Sequence, residues 1–350
     1  MPFFKDKKRG TWKIKLYYTD WTGEKRQLQK RGFPSKREAQ KYERNFIQKE
    51  ARQSDILFSN LVENYLEDMK HRLRETTYYG KIRMLKKHII PFFGNTPINK
   101  ITASHVRKWQ NTMMSHKKKY SDTYLRTINN QLTAVLNYAI KFYSLEKNPC
   151  HAAGSMGKKY SDKMQIWTLD EFNSFIAYID NSLFNLAFNV LFWSGIRVGE
   201  LLALSVEDIQ DGLIKITKSY ATVSRKEIVN PPKTPKSIRD ITMPQALQDK
   251  VNAYISTLHK PNKNDRLFPT NKSTLASKLT KAAKLANIKR IRVHDLRHSH
   301  ASFLIEQNFN PLIIAERLGH EKVETTLNVY SHLYPNKHIE VAEKLNEFAK

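Results

Sequence analysis

Four separated segments in the second half of the chain carry side chains able to do chemistry. In Ser194-Gly195-Ile196-Arg197-Val198-Gly199-Glu200, a buried apolar run ends at Gly195 and Arg197 opens the next helix. A guanidinium beside the free N–H groups of a helix start suits a phosphate. In Pro232-Lys233-Thr234-Pro235-Lys236-Ser237-Ile238-Arg239, two β-like runs flank Lys233, which is expected on or near a hairpin tip. In His294-Asp295-Leu296-Arg297-His298-Ser299-His300, His294 and Arg297 are three apart, so they share a helix face and can converge on one ligand. The fourth segment holds Leu318-Gly319-His320, with Gly319 as a helix C-cap, then Thr326 and Tyr330 four apart on the next helix. Together these groups could clamp an anion through Arg197 and Arg297. His294 and His320 could donate hydrogen bonds or move protons, and Tyr330 adds a phenolic hydroxyl.

The elements that must position them belong to the last of three parts. Residues 151–164, small, polar and Gly-containing, read as an interdomain linker, and Thr168-Leu169-Asp170-Glu171 is a capping box that restarts a folded domain. From residue 165 to 350 the pattern is mainly helical, with a small antiparallel sheet around residues 209–243. Its last stretch, residues 338–348, spaces Ile339, Ala342, Leu345 and Phe348 as a short amphipathic helix. Residues 56–150 show helical periodicity alone. Val62, Tyr65, Leu66 and Met69 form one apolar face; Ile82, Leu85 and Ile89 form another, ended by Pro91 and Gly94. Residues 102–114 and 122–143 complete a four-helix domain. Residues 1–55 begin with an alternating strand at 11–18, a turn at 20–23 and a basic strand at 25–31. A helix then runs from the Ser35/Glu38 capping box to about Lys49. The fold class expected is therefore multidomain α+β.

Charge narrows the partner. Lys and Arg number 60 against 33 Asp and Glu, a formal net charge of +27. Such an excess repels itself in a compact chain and calls for a polyanion. The basic residues run along the whole length, 16 Lys and Arg against 7 Asp and Glu in residues 1–55 alone, which favours nucleic acid over a membrane surface. Cys150 is the single cysteine, so neither an intrachain disulfide nor a cysteine zinc site is available, as in a reducing cytoplasm. No stretch reaches the roughly 18 apolar residues of a membrane span, and MPFFKDKKRG has no signal-peptide core.

The ordered set Arg197, Lys233, H-x-L-R at 294–297, L-G-H at 318–320 and Tyr330 resembles the catalytic domain of the tyrosine recombinase (phage integrase) family. The likeness covers residues 165–335. Residues 56–150 resemble the family's core-binding domain, and residues 1–55 the arm-binding domain of phage and conjugative-transposon integrases. The resemblance implies a site-specific recombinase that cuts and rejoins DNA through a 3′-phosphotyrosyl link, integrating or excising a mobile element. Its catalytic residues would be Arg197, Lys233, His294, Arg297, His320 and Tyr330, with Lys233 protonating the departing 5′-oxygen. Lys236, three residues on, competes for that role. The resemblance implies no cofactor and no metal. Partners would be double-stranded DNA at core and arm sites, three further copies of the chain, and accessory DNA-bending or excision proteins. The C-terminal helix would dock on a neighbouring protomer or fold back on its own domain. The setting would be the cytoplasmic nucleoid. Glu200 either orients a neighbour or lies on the surface, and His298, His300 and His332 read as peripheral. The rival readings are a catalytically silent DNA-binding regulator, a metal-dependent nuclease built on His294, His298 and His300, and a type IB topoisomerase.

Overall fold

The computed structural model describes residues 3–6, 10–19, 25–51, 56–117, 119–158, 164–223, 226–232, 234–330 and 345. The chain is mixed α+β and forms two compact units, residues 1–162 and 163–350.

In the first unit, β1 (Phe3–Asp6), β2 (Thr11–Thr19) and β3 (Lys25–Phe33) form an antiparallel sheet in that order. α1 (Lys36–Ala51) packs on it. Alternation along β2 turns Ile14 and Leu16 inward, and both are buried. Ser35 Oγ accepts from the Glu38 amide at 3.2 Å, one half of the expected capping box. β1 was not expected. Phe3-Phe4-Lys5-Asp6 is too short to show a period, and it is a strand only because it pairs with β2.

The helical part comprises α2 (Phe58–Lys70), α3 (Glu75–Met84), α4 (Ile90–Phe93), α5 (Ala103–Met114), α6 (Asp122–Phe142) and α7 (Pro149–Ala153). Pro91 does not end its helix as the sequence suggests. A π-turn at Leu85–Ile89 precedes it, and Pro91 sits in the first turn of α4, where a missing N–H costs little. The expected linker begins as part of this unit. Ala153 and Met156 are buried in its core, Arg107 donates to the Ala153 carbonyl, and Gln110 donates to the Gly154 carbonyl at 2.7 Å.

In the second unit, Thr168 and Glu171 make the full capping box that starts α8 (Leu169–Ile176). α9 (Ser182–Ser194) is buried along almost its whole length, with Ala187, Phe188, Val190, Leu191 and Phe192 in the main core. It is followed by α10 (Val198–Leu201), β4 (Ile209–Gln210), β5 (Leu213–Ile216), β6 (Ser219–Val223), β7 (Lys226–Asn230) and β8 (Arg239–Thr242). The strands form two small antiparallel sheets, β4-β5-β8 and β6-β7. α11 (Gln245–Ser256), α12 (Lys272–Leu285), α13 (Asp295–Glu306), α14 (Pro311–Leu318) and α15 (Val323–Tyr330) complete the unit. The expected C-terminal helix at 338–348 lies outside the described residues apart from Leu345.

Gly195 fixes the exit from α9. Its φ of +67° is left-handed, and a Cβ there would sit 2.5 Å from His300 Cδ2 and 2.9 Å from Leu318 Cδ2. Gly195→Ala is therefore expected to cost about 2–4 kcal/mol, from backbone strain plus overpacking. Thermal melting of the variant checks this, with a midpoint lower by roughly 5–12 °C expected. An unchanged midpoint would mean that the α9 exit relaxes without cost.

Candidate active site

Three arginines far apart in sequence meet at the C-terminus of α14. Arg239 Nε donates to the Arg317 carbonyl at 2.8 Å, Arg297 Nη2 to the Leu318 carbonyl at 2.6 Å, and Arg197 Nη2 to the Gly319 carbonyl at 3.3 Å. The last carbonyls of a helix have no intrahelical partner and carry the negative end of its dipole. Gly319, at φ +66°, turns the chain so that successive carbonyls face this cluster. The same turn delivers His320 to the site, and its Nδ1 lies 2.8 Å from Thr326 Oγ1 on α15.

Arg297 is anchored at a second point, with Nη1 donating to the Gly195 carbonyl at 2.9 Å. Its side chain is buried. Burial and then Arg197 push it down to about 9, which leaves it protonated at neutral pH. Arg197 is the more open of the pair, at the N-terminus of α10 with a side chain 36% exposed.

Glu200 joins the arginines. Its Oε1 accepts from Arg197 Nη1 at 2.8 Å and its Oε2 from Arg239 Nη2 at 3.0 Å. It is buried, so of the two readings open for it the structure selects the orienting one. Burial alone would raise its carboxyl, but Arg239 and then Arg197 overcome this and hold it below the usual range. Its contribution to stability is thus complete above the unfolded-state value near 4.3 and is lost as pH falls through the lower folded-state value. Glu200→Gln should destabilise the second unit by about 3–5 kcal/mol at neutral pH, since two cations lose a buried partner. It should also flatten the acid limb of the stability curve. Denaturant titrations of both proteins between pH 3 and 7 check this; parallel curves would remove Glu200 from the acid transition.

His294 caps α13 on an exposed corner, and its ring meets that of His298 edge-on at 5.1 Å. One turn further, His298 Nδ1 lies 2.5 Å from the Tyr330 hydroxyl. Tyr330 is 1% exposed, packed among Ala301, Ile305, Ile314 and Leu318, and burial pushes its phenol well above the ordinary value. Burial, then His294, pushes His298 down to about 4; burial, then Arg297, does the same to His320; and His294 is lowered by burial and Arg297. All three imidazoles are therefore neutral near pH 7, and the site's fixed positive charge comes from arginine.

Of the residues picked out in the sequence, Arg197, His294, Arg297, His320 and Tyr330 are brought together. Lys233 lies outside the described residues. The hairpin expected around it is replaced by a crossover, because β7 pairs with β6 while β8 pairs with β5. Lys236, its competitor, is exposed on the turn Pro235–Ser237 that abuts Gly319. Two participants were missed. Arg239 shares the inward face of β8 with buried Ile241, an alternation that could have flagged it. His298, set aside as peripheral, is four residues from His294 and so on the same helix face. His300 faces elsewhere: it is buried, its Nε2 accepts from Arg317 Nε at 3.2 Å, and it borders Gly195. The three histidines of the metal-nuclease reading thus do not converge. Among the described residues, no group of three or more His, Cys, Asp or Glu is arranged to hold a metal ion. Nor is any described helix long and apolar enough to cross a membrane. His332 lies outside the described residues.

A buried tyrosine, an arginine cluster and flanking imidazoles bring together the kinds of group that phosphoryl transfer needs. The chain belongs to the phage integrase family. The family model matches residues 166–337, with the phage integrase N-terminal SAM-like domain at 57–114 and an arm DNA-binding domain at 2–49. It is 31% identical over 325 residues to the ICEBs1 integrase of Bacillus subtilis (strain 168), spanning 88% of each chain. To the integrase of Mycobacterium phage L5 it is 26% identical over 280 residues, 76% of this chain and 72% of that one. The fold matches the Tn1549 transposon integrase in complex with a circular intermediate DNA, with a TM-score of 0.69 at 19% identity, over 84% of this chain and all of that one. It also matches a lambda integrase dimer bound to a core site, with a TM-score of 0.62 at 16% identity, over 96% and 95% of the two chains.

Proposed function

We propose that this protein is a site-specific DNA recombinase that integrates or excises a mobile genetic element. Tyr330 attacks a backbone phosphorus, forming a 3′-phosphotyrosyl bond while the P–O5′ bond breaks. Arg197 and Arg297 bind the non-bridging oxygens and stabilise the charge that develops there. His294 and His320, neutral at working pH, donate hydrogen bonds, and Lys233 protonates the departing 5′-oxygen. A 5′-hydroxyl from the partner duplex then attacks the phosphotyrosine and restores the phosphodiester. The bond's energy is conserved in the covalent link, so no ATP enters the balance.

The observation that carries this reading is the meeting of Arg197, Arg239 and Arg297 with His320 and the buried Tyr330 around one helix end. A protein that only bound DNA would need positive charge at its surface, not a phenol held against an imidazole beside buried arginines. Residues 1–55 bind arm sites and residues 56–150 grip the core site. Four copies assemble on two duplexes, with accessory DNA-bending or excision proteins setting direction. The protein works in the cytoplasm, on the nucleoid.

The test is incubation with duplexes carrying the end sequences of the element that encodes the chain, in EDTA and without ATP. A covalent protein–DNA adduct, mapped to Tyr330 by peptide mass, is expected. Cleavage that requires Mg²⁺ and leaves no adduct would establish a metal-dependent nuclease instead.

A further inference from the structure

With His294 and His320 donating hydrogen bonds in the proposed mechanism, the Tyr330 proton still needs an acceptor. We propose that His298 is that acceptor: Nδ1 of its neutral ring, protonated on Nε2, holds the Tyr330 hydroxyl and takes its proton as the phenol oxygen attacks phosphorus. This assignment rests on Tyr330 being the nucleophile.

The geometry singles out His298. Its Nδ1 lies 2.5 Å from Tyr330 Oη, and the two rings are tilted at 54° with centroids 5.7 Å apart. The hydrogen bond spans two elements, α13 and α15, so it orients the phenol as well as accepting from it. The other imidazoles are engaged differently. His320 Nδ1 is on Thr326, His300 Nε2 is on Arg317, and His294 meets the edge of His298.

The surroundings make His298 an acceptor and not a donor. Burial, the largest cause, disfavours its protonated form, and His294, Arg297 and Arg292 act the same way against Asp295. Arg292 is itself held by Asp295 at 2.8 Å, which mutes the pull of that carboxylate on the ring. The phenol, for its part, is held protonated by burial. Neither group changes charge in the resting protein, so the proton cannot move in advance. It moves as the O–P bond forms and the phenol becomes acidic, which is general-base catalysis, with no free phenolate beforehand. The balance closes: the Tyr330 proton ends on His298, the phenolic oxygen bonds phosphorus, and the 5′-oxygen leaves with a proton from the general acid. On rejoining, the imidazolium returns its proton to the departing phenolate. Arg297, a fixed cation near the ring, raises the energy of that imidazolium and so favours its return.

The test compares His298→Asn with His298→Leu in the full-length protein, using the same end-sequence duplexes. Asparagine can present an oxygen to the Tyr330 hydroxyl but cannot take its proton; leucine can do neither. Both variants should bind DNA within about threefold of wild type and form adduct on the order of 10²-fold more slowly. A duplex with sulfur in place of the 5′-bridging oxygen, whose leaving group needs no acid, should not restore them. Placing 3,5-difluorotyrosine at position 330 should recover at least about tenfold in His298→Asn, because a more acidic phenol depends less on a base. Full activity of His298→Asn with a defective His298→Leu would reduce His298 to a positioning residue and overturn the proposal, as would rescue by the sulfur duplex. Wild-type rates in either variant would overturn it as well. If wild type itself forms no adduct at Tyr330, the nucleophile assignment fails and the role of His298 falls with it, whereas a wild-type adduct with unimpaired His298 variants overturns the role of His298 alone. Should both variants fail to bind DNA, the difluorotyrosine protein with His298 intact decides: a rate within about threefold of wild type supports assisted proton removal, and a rise of tenfold or more overturns it.

Discussion

Tyr330→Phe is expected to abolish the covalent adduct while leaving DNA affinity within about twofold of wild type. The substitution deletes one oxygen from a side chain that is otherwise packing, so the cluster of Ala301, Ile305, Ile314 and Leu318 keeps its shape. The lost hydrogen bond to His298 costs about 1 kcal/mol at most, since water can reach the half-buried imidazole. The chemistry has no substitute. Without the phenol, no side chain occupies the attacking position, and a loss of at least about 10⁴-fold in strand cleavage follows from removing a covalent nucleophile. Denaturing gels of the end-joined complex measure it. Adduct formed by the phenylalanine variant would move the nucleophile to another residue, with Tyr334 the next to replace.

The second large effect concerns Arg297. Arg297→Lys retains the charge but cannot span both the Gly195 and Leu318 carbonyls while also meeting a phosphate, because an ammonium is a point donor and a guanidinium a planar fork. Cleavage should fall on the order of 10²–10³-fold. Arg297→Ala should lose at least as much activity and also strand two carbonyls, at about 1–3 kcal/mol each. The two variants separate chemistry from architecture. The lysine protein should melt within a few degrees of wild type, and the alanine protein should melt well below it. If both melt as wild type does and differ from it only in rate, Arg297 serves the phosphate alone and the carbonyl contacts are incidental. If lysine restores full cleavage, charge suffices and the bidentate argument fails.

The burial of Tyr330 bears on both experiments. A phenol that is 1% exposed is shielded from a phosphate, so on the proposed mechanism DNA binding supplies the free energy for uncovering its hydroxyl while the contact to His298 is kept. The ring sits in an apolar niche formed by α13 and α14, which also hold Arg297 and, at the end of α14, the carbonyls that anchor the arginines. Uncovering of the Tyr330 hydroxyl and organisation of the arginines thus take place in one packed body, and variants of either should perturb DNA-dependent cleavage more than DNA binding.

Local rules made much of the molecule legible in its sequence. The Thr168/Glu171 capping box, the glycines that end α9 and α14, and the helical stripes of residues 56–150 follow from hydrogen-bond satisfaction and a period of 3.6, which operate within a few residues. Arg197, His294, Arg297, His320 and Tyr330 stood out by residue type and local spacing, and the family resemblance of their order joined them into one set. What lay beyond reach depended on partners distant along the chain. β1 is a strand through its pairing with β2, and Pro91 is tolerated through a π-turn that no periodicity announces. Arg239 joins the site because a helix end 78 residues away has carbonyls to spare, and His298 does so because α15 folds back on α13. The charge states also belong to the tertiary structure. The residue types supply a phenol and imidazoles that titrate near their ordinary values in water; packing withdraws the water and sets arginines beside them, which keeps Tyr330 protonated and the histidines neutral. The sequence determined which groups could react. Desolvation and the meeting of remote helix ends decided which of them touch, and in what protonation state.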